Sequence, residues 1–209
     1  ENGNVIVNKQ GRPTKVSGED AFQYTLDHPI GNIEPDLLMS VNPSFTYKGF
    51  TLSALFDMKF GGDIVSVSES MATSSGLAKR TANRGNADNN WTIVVPGVTA
   101  DGTANTTAMS AQRYYTSISG MAEEFVYDAS FIKLKELSLG YSFPKSMLKK
   151  TPLTSLNVAF VARNLAYLMK HTPGTSPEGG YDTSMFSQAI DYMSVPYTRT
   201  FGLSINLGF

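Results

Sequence analysis

The chain lacks cysteine altogether: none of its 209 residues is one. A disulfide framework is therefore excluded, as is any zinc or iron–sulfur site built from thiolates. Charge is also scarce, since charged residues make up 17 % of the chain and the formal net charge is −1. The excess of lysine and arginine that nucleic-acid binding requires is absent, so we expect no nucleic-acid partner. Also missing are the charged residues spaced four apart that support helical bundles.

Long apolar runs are absent as well. The longest apolar-rich stretch, 156–162, is much shorter than the 18 or so residues that a transmembrane helix needs. If the chain spans a membrane, it must do so as strands of a closed barrel, the other structure that satisfies every backbone group in lipid. The chain starts at Glu1 without an initiator methionine. For an exported protein we therefore expect a processed chain or a C-terminal fragment.

What the sequence has instead is alternation, most clearly at its C-terminal end. Successive side chains of a strand point to opposite faces, and here one face would be large and apolar while the other is small and polar. The apolar set comprises Phe201, Leu203, Ile205, Leu207 and Phe209. This pattern is typical of the last strand of an outer-membrane barrel, and we take it as the candidate barrel-assembly signal. The alternative is an amphipathic strand that closes a soluble sandwich.

Two further alternating segments predict a hairpin. Segments 39–47 and 50–60 are separated only by Lys48 and Gly49, a pair suited to a tight turn. Pro43 interrupts the first segment. It indicates an edge position, a bulge or a strand end, because proline cannot donate a hydrogen bond to a neighbouring strand.

A third strand is predicted at 131–143, and its apolar phase changes at Lys135 and Glu136. Either a β-bulge or the exit of the strand from the lipid zone would explain this change. We favour the exit, because charged side chains are costly at the bilayer midplane. A fourth strand begins near Ser155, and residues 4–7 could form the end of a sixth.

The predicted connections alternate between short and long. The short ones are 48–49 and 144–152, whereas the long ones span about 9–35, 61–130 and 169–195. Barrels of the outer membrane show this asymmetry, with short periplasmic turns and long extracellular loops. Five strands cannot close a barrel, since about eight are needed. The rest of the barrel must therefore come from elsewhere. Asp57 and Arg163 fall on the polar faces and are candidate lumen-lining residues.

Several segments carry a family resemblance that extends over most of the chain. They are Ile30-Gly31-Asn32, Pro35-Asp36, Tyr47-Lys48-Gly49-Phe50-Thr51-Leu52, Gly61-Gly62, the block 128–144, Arg163-Asn164-Leu165 and the closing segment 196–203. At these residues the chain resembles the C-terminal part of the SusC/RagA-type TonB-dependent outer-membrane transporters of Bacteroidetes. The block 128–144 is the most specific of them, whereas the hairpin and the terminal strand are generic to barrels.

The resemblance implies an all-β fold: the C-terminal strands of a large, 22-stranded transmembrane antiparallel barrel. It implies a bacterial cell outer-membrane location and import of oligosaccharides or peptides, with a SusD-like surface lipoprotein as partner. Energy would come from TonB through the N-terminal part. The plug domain would lie in that part, outside residues 1–209. No cofactor is implied.

The sequence gives little support for catalysis, and we expect no enzyme. His28 and His171 are isolated in loop contexts, and the adjacent Glu123 and Glu124 would point apart on a strand. No nucleophile or phosphate-binding motif is present. The oxygen-rich stretch 84–90 could hold a structural Ca²⁺, but a polar turn is the better interpretation, because the EF-hand spacing is missing. We therefore expect no metal site.

The long loops contain the candidate residues for binding cargo or a partner protein. The candidates are Trp91, Arg113, Tyr114, Tyr115 and Tyr181. Aromatic faces beside hydrogen-bonding groups suit sugars, peptides or a protein surface. The alternative is that these rings pack the loops' own small cores or form an interfacial belt.

Three functions remain open from the sequence. The first is active import as the wall and loops of a TonB-dependent transporter. The second is a passive porin or a structural barrel with the same wall but no energy coupling. The third is a soluble β-rich binding module, in which the apolar faces of 50–60 and 201–209 would pack against each other.

Overall fold

The computed structural model describes residues 5–15, 28–85, 90–181 and 187–209. Its strands are β1 (Ile6–Val7), β2 (Leu37–Val41), β3 (Ser44–Tyr47), β4 (Phe50–Phe60), β5 (Asp63–Ser66), β6 (Thr92–Val94), β7 (Val98–Thr99), β8 (Ala108–Ser110), β9 (Val126–Asp128), β10 (Phe131–Ser142), β11 (Ser155–Lys170), β12 (Ile190–Asp191) and β13 (Thr200–Gly208). Its helices are α1 (Val67–Ser74), α2 (Ala111–Ile118) and α3 (Lys145–Leu148), with 3-10 turns at Lys79–Asn83, Ala122–Phe125 and Ser187–Ala189. In these residues, no helix is both long enough and apolar enough to cross a membrane.

The largest sheet confirms the predicted antiparallel strands. Its order is β13, β11, β10, β4 and β2, and β3 also pairs with β4. Strands β2 and β3 keep one register along β4, since Val41 lies opposite Phe56 and Ser44 opposite Ser53. The carbonyl of Pro43 still accepts a hydrogen bond from the next strand, at 3.1 Å. Pro43 therefore interrupts the pairing of an edge strand without shifting it.

The change of phase in β10 is a β-bulge, so the interpretation that we favoured from the sequence is wrong. Leu134 pairs with Phe56 and Glu136 with Leu55, which leaves Lys135 without an opposite residue on β4. One extra residue shifts the alternation of side chains between the two faces of the sheet by one position. The apolar residues on both sides of the bulge therefore stay on the same face, and the bulge accounts for the change of phase.

The short turns and the C-terminus lie at one end of this sheet, which we call the short-turn end. Lys48 and Gly49 have positive φ angles of 48° and 89°. Two such residues in succession are typical of a type I′ hairpin turn. Segment 143–154 returns at the same end and includes α3. There the backbone N–H of Thr154 donates to the carbonyl of Gly208 at 2.8 Å.

The long connections leave from the opposite end, which we call the long-loop end. They run from 61 to 130, as predicted, and from 171 to 199, where the prediction was about 169–195. They are joined to each other, because β12 pairs in parallel with β5. β1 pairs in parallel with β7 inside the first long connection. The expectation that residues near 4–7 end a sixth barrel strand is therefore wrong for Ile6–Val7, and Asn4 lies outside the described residues.

The first long connection has its own small core. One apolar cluster is formed by Val7, Val95 and Met109, and a second by Ala111, Tyr115 and Ile118, with Ile93 and Tyr114 packed against both. Helix α2 is capped by the Ser110 side chain, which accepts from the N–H of Arg113. The described part of this loop is thus a folded unit at one end of the sheet.

Candidate functional site

In the part of the chain that the structure describes, the main sheet has one face that is apolar and uncovered. Cross-strand pairing aligns apolar rows across the sheet, for example Leu203, Phe160, Leu139, Leu52 and Phe45. These side chains are exposed: 65 % for Leu203, 50 % for Leu139 and 70 % for Phe45. Soluble proteins rarely expose an apolar patch of this extent. Strands β4 and β13 lie in one sheet, so their faces do not pack against each other as the alternative of a soluble binding module requires.

Aromatic rings are concentrated on this face near the short-turn end. The ring centroids of Phe50 and Tyr141 are 4.5 Å apart, and those of Tyr141 and Phe143 are 4.9 Å apart. Tyr47, opposite Phe50, is 71 % exposed. Rings of this kind are enriched where a barrel wall meets the membrane–water interface.

The opposite face of the sheet is polar, and several of its charges are paired. Asp57 accepts from Lys135 Nζ and from Ser40 Oγ, each at 2.8 Å. Arg163 Nε donates to Glu136 at 2.7 Å. Both predicted lumen-lining residues therefore lie on the polar face, as the alternation requires. Each is held by a neighbouring strand.

A buried cationic group lies at the long-loop end of this polar face. The Lys133 side chain is only 4 % exposed, and its Nζ is 2.6 Å from a carboxylate oxygen of Glu178. The hydroxyl of Tyr167 also donates to Glu178. The rings of Tyr167 and Tyr197 lie 5.2 Å and 4.5 Å from Lys133 Nζ. Sequence reasoning missed this cluster, since no local pattern joins residues 45 positions apart.

Glu178 also lines a cleft of about 730 Å³ between the loops and the sheet. Its lining includes four charged side chains, Glu34, Lys59, Asp63 and Glu178, among mainly apolar neighbours such as Ile33, Leu38, Ile64 and Phe131. A mostly apolar cleft with a few polar groups is the usual form of a ligand site. This cleft is the best candidate for a ligand site in the described residues.

Tyr181 is the predicted binding residue that lies at this cleft. It is 63 % exposed, and its ring centroid is 5.4 Å from that of Tyr192 in a T-shaped arrangement. The two rings form an exposed aromatic pair.

Trp91 and Arg113 lie elsewhere, near the start of α2. Trp91 is 49 % exposed, and its carbonyl accepts from the N–H of Ala111 at 2.8 Å. Trp91 lines a separate cleft of about 240 Å³. Arg113 is exposed on the same helix. The structure therefore does not bring the five predicted residues into one site.

Tyr115 does not fit its place among the five predicted binding residues. It is 9 % exposed, belongs to the second apolar cluster, and donates its hydroxyl hydrogen bond to the Arg80 carbonyl at 2.9 Å. Tyr114 is half-buried and packs against both clusters. Burial, and secondly the nearby Glu124 carboxylate, raise the pKa of the Tyr114 phenol. Both rings build the loop core, which is the alternative that the sequence left open.

His171 has a local partner. Its ring Nδ1 contacts the Asp128 carboxylate, which also accepts from the N–H of Ser130 at 2.8 Å. Burial raises the pKa of Asp128, but the hydrogen bonds from Ser130 and His171 outweigh it and hold that pKa below its usual range. Among the described residues, no group of three or more acidic, histidine or cysteine side chains could hold a metal ion. Most of the oxygen-rich stretch 84–90, namely 86–89, lies outside the described residues.

Comparison with known proteins identifies relatives that match most of the chain. No protein-family model matches the chain. The chain is 31 % identical over 185 residues to TonB-dependent receptor P3 of Formosa agariphila, covering 86 % of this chain and 17 % of that protein. It is 25 % identical over 180 residues to TonB-dependent receptor P39 of the same organism, with the same coverage of both proteins. The chain thus spans about a sixth of the length of these relatives.

Solved structures show the same fold. The RagAB peptide importer in its closed-closed state aligns with a TM-score of 0.60 at 20 % identity, covering 84 % of this chain and 17 % of that one. The open-open state of the importer aligns with a TM-score of 0.58 at 22 % identity, covering 85 % and 17 %. In sequence the chain therefore resembles part of the TonB-dependent receptors, and in fold it resembles part of the RagAB importer, as the resemblance predicted.

Proposed function

We propose that this chain is part of the wall and loops of an outer-membrane active transporter that imports oligosaccharides or peptides. The observation that carries the proposal is the sheet itself. In the described residues, one face is apolar and uncovered, the other is polar with several paired charges, and each of the outer strands β13 and β2 pairs with a neighbour on one side only. Such a sheet is stable in lipid only as part of a closed barrel, because unpaired backbone groups cost several kcal/mol each in hydrocarbon.

Further strands would complete the barrel, and the relatives' greater length leaves room for them and for a plug domain. TonB would act through that remaining part. A SusD-like surface lipoprotein would cover the long-loop end, where the joined loops offer Trp91, Arg113 and Tyr181 on exposed surface. The cleft beside Tyr181 would contact the cargo.

Uptake by the parent protein tests the proposal. Cells that carry it should accumulate a fluorescent oligopeptide or oligosaccharide, and deletion of TonB should abolish the accumulation. Accumulation that persists without TonB would contradict active import and indicate a passive porin. Recovery of the parent protein in the soluble fraction instead of the outer membrane would reject both.

A pair of substitutions tests the cleft as the place of cargo contact. Tyr181→Ala removes an exposed ring that lines the cleft, and we expect about a tenfold loss of cargo affinity, equal to about 1.4 kcal/mol. Trp91→Ala is the matched control, because Trp91 is a similarly exposed ring in a different cleft. Equal losses from both substitutions would show that the 730 Å³ cleft has no special role.

A further inference from the structure

The segment 171–181, which we call the strap, follows β11 directly and lies against the polar face of the sheet. Several polar contacts fasten it, including those of His171 with Asp128 and of the Tyr167 hydroxyl with Glu178. Tyr167 bonds to Ser176 through their hydroxyls at 2.6 Å, Lys170 Nζ donates to the Thr175 carbonyl at 3.0 Å, and Glu178 pairs with Lys133. In the described residues, neither apolar cluster includes a residue of the strap. The strap is therefore held mainly by polar contacts.

The strap also forms one wall of the cleft. Pro177, Glu178, Gly180 and Tyr181 line it on this side, opposite residues of the sheet and of the segment before β2. Any movement that lifts the strap from the sheet would widen the cleft and carry Tyr181 away. The position of the strap therefore determines the shape of the candidate site.

One contact dominates this fastening. The Lys133 ammonium is almost fully buried, and Glu178 is the carboxylate that pairs with it at 2.6 Å. A buried charge that loses its partner is strongly unfavourable unless it regains water. Movement of the strap away from the sheet would return water to Lys133 on the side that Glu178 covers. Removal of the Glu178 charge should therefore favour the lifted position.

We propose that the strap is a lid over the cleft and that the Lys133–Glu178 ion pair is the latch that closes it. Segments held by few apolar contacts open at low free energy, so one ion pair can decide between two positions. Lid and latch are properties of this chain, whatever the cargo and whatever energises transport.

Labelling of a single introduced cysteine tests the latch, since the chain has no cysteine of its own. Pro177 is buried and adjacent to Glu178, so Pro177→Cys in the full-length parent protein, freed of any other reactive cysteine, should react slowly with a maleimide. Glu178→Gln should accelerate this reaction about tenfold or more. The charge-reversed pair K133E/E178K should return it towards the slow rate. Cargo and TonB are left out of the assay, so its failure is distinct from a failure of the transport proposal.

The matched control breaks a different ion pair on the same face. Glu136→Gln removes the carboxylate that pairs with Arg163 at 2.7 Å, and the labelling rate should stay unchanged. A rate for Glu178→Gln that equals that of Glu136→Gln overturns the proposal. Should Glu178→Gln fail to insert, Lys133→Gln takes its place, because it removes the other half of the same ion pair: faster labelling supports the latch, and an unchanged rate overturns it.

Discussion

Leu139→Arg places a charge on the uncovered apolar face, and its effect follows from the depth of that residue in the membrane. Strand β4 has 11 residues from Phe50 to Phe60. At about 3.4 Å per residue and a tilt of about 45°, it spans about 25 Å along the membrane normal, which matches the apolar band of outer-membrane barrels. Leu139 lies opposite Leu52, in the half of this span nearer the short turns, about 7 Å from the midplane.

Arginine costs about 2–4 kcal/mol at the midplane and about 0–1 kcal/mol near the interfaces. For Leu139→Arg we therefore expect a loss of about 1–3 kcal/mol in the free energy of unfolding from the bilayer. The measurement is a urea titration of the full-length parent protein in lipid vesicles, followed by the gel shift between folded and heat-denatured barrel. Tryptophan fluorescence should report the same urea transition as the gel shift, because a two-state analysis requires that different probes give coincident transitions.

The neighbouring Ser138→Arg is the control, because its side chain lies on the polar face opposite Ser53. We expect it to change the unfolding free energy by less than about 1 kcal/mol, since water or protein faces it rather than lipid. Equal effects of the two substitutions, or a neutral Leu139→Arg, would refute the assignment of the apolar face to lipid.

Three further predictions concern the turn, the loop core and pH. Gly49→Ala should destabilise the hairpin by about 1–3 kcal/mol in the same titration, because φ is +89° and the new Cβ would lie 3.0 Å from a carbonyl oxygen. Tyr115→Phe should cost about 1 kcal/mol, measured as faster amide exchange in α2, since the Arg80 carbonyl loses its partner. Folding lowers the pKa of Asp128 from its ordinary value of 3.8. The ionised carboxylate therefore stabilises the corner before β10. This stabilisation is complete at pH values above 3.8 and is lost as the pH falls below that value. Asp128→Asn should remove this pH dependence of the unfolding free energy between pH 6 and pH 3. The change in unfolding free energy should stay below about 1 kcal/mol, because the Asp128 side chain is 45 % exposed.

The sequence by itself determined the strands, their faces and the two kinds of connection. Alternation with a period of two is a local property, so each strand displays which side chains share a face before any partner is known. The terminal strand from Thr200 to Gly208 and the hairpin around Lys48 and Gly49 could be predicted for this reason. The bounds of the first long connection, 61–130, follow from the ends of the two strands beside it, since β4 ends at Phe60 and β10 begins at Phe131.

Only the tertiary structure decided the features that depend on register and on distant contacts. The bulge at Lys135 is visible only against β4, because an unpaired residue is defined by the partner strand. Tyr115 proved to be a core residue, since burial depends on what packs around a ring and not on its neighbours in sequence. The pairing of Lys133 with Glu178 needed the chain to return to the same face of the sheet 45 residues later. A local pattern cannot encode such a contact, because it forms only when the loop is folded back onto the sheet.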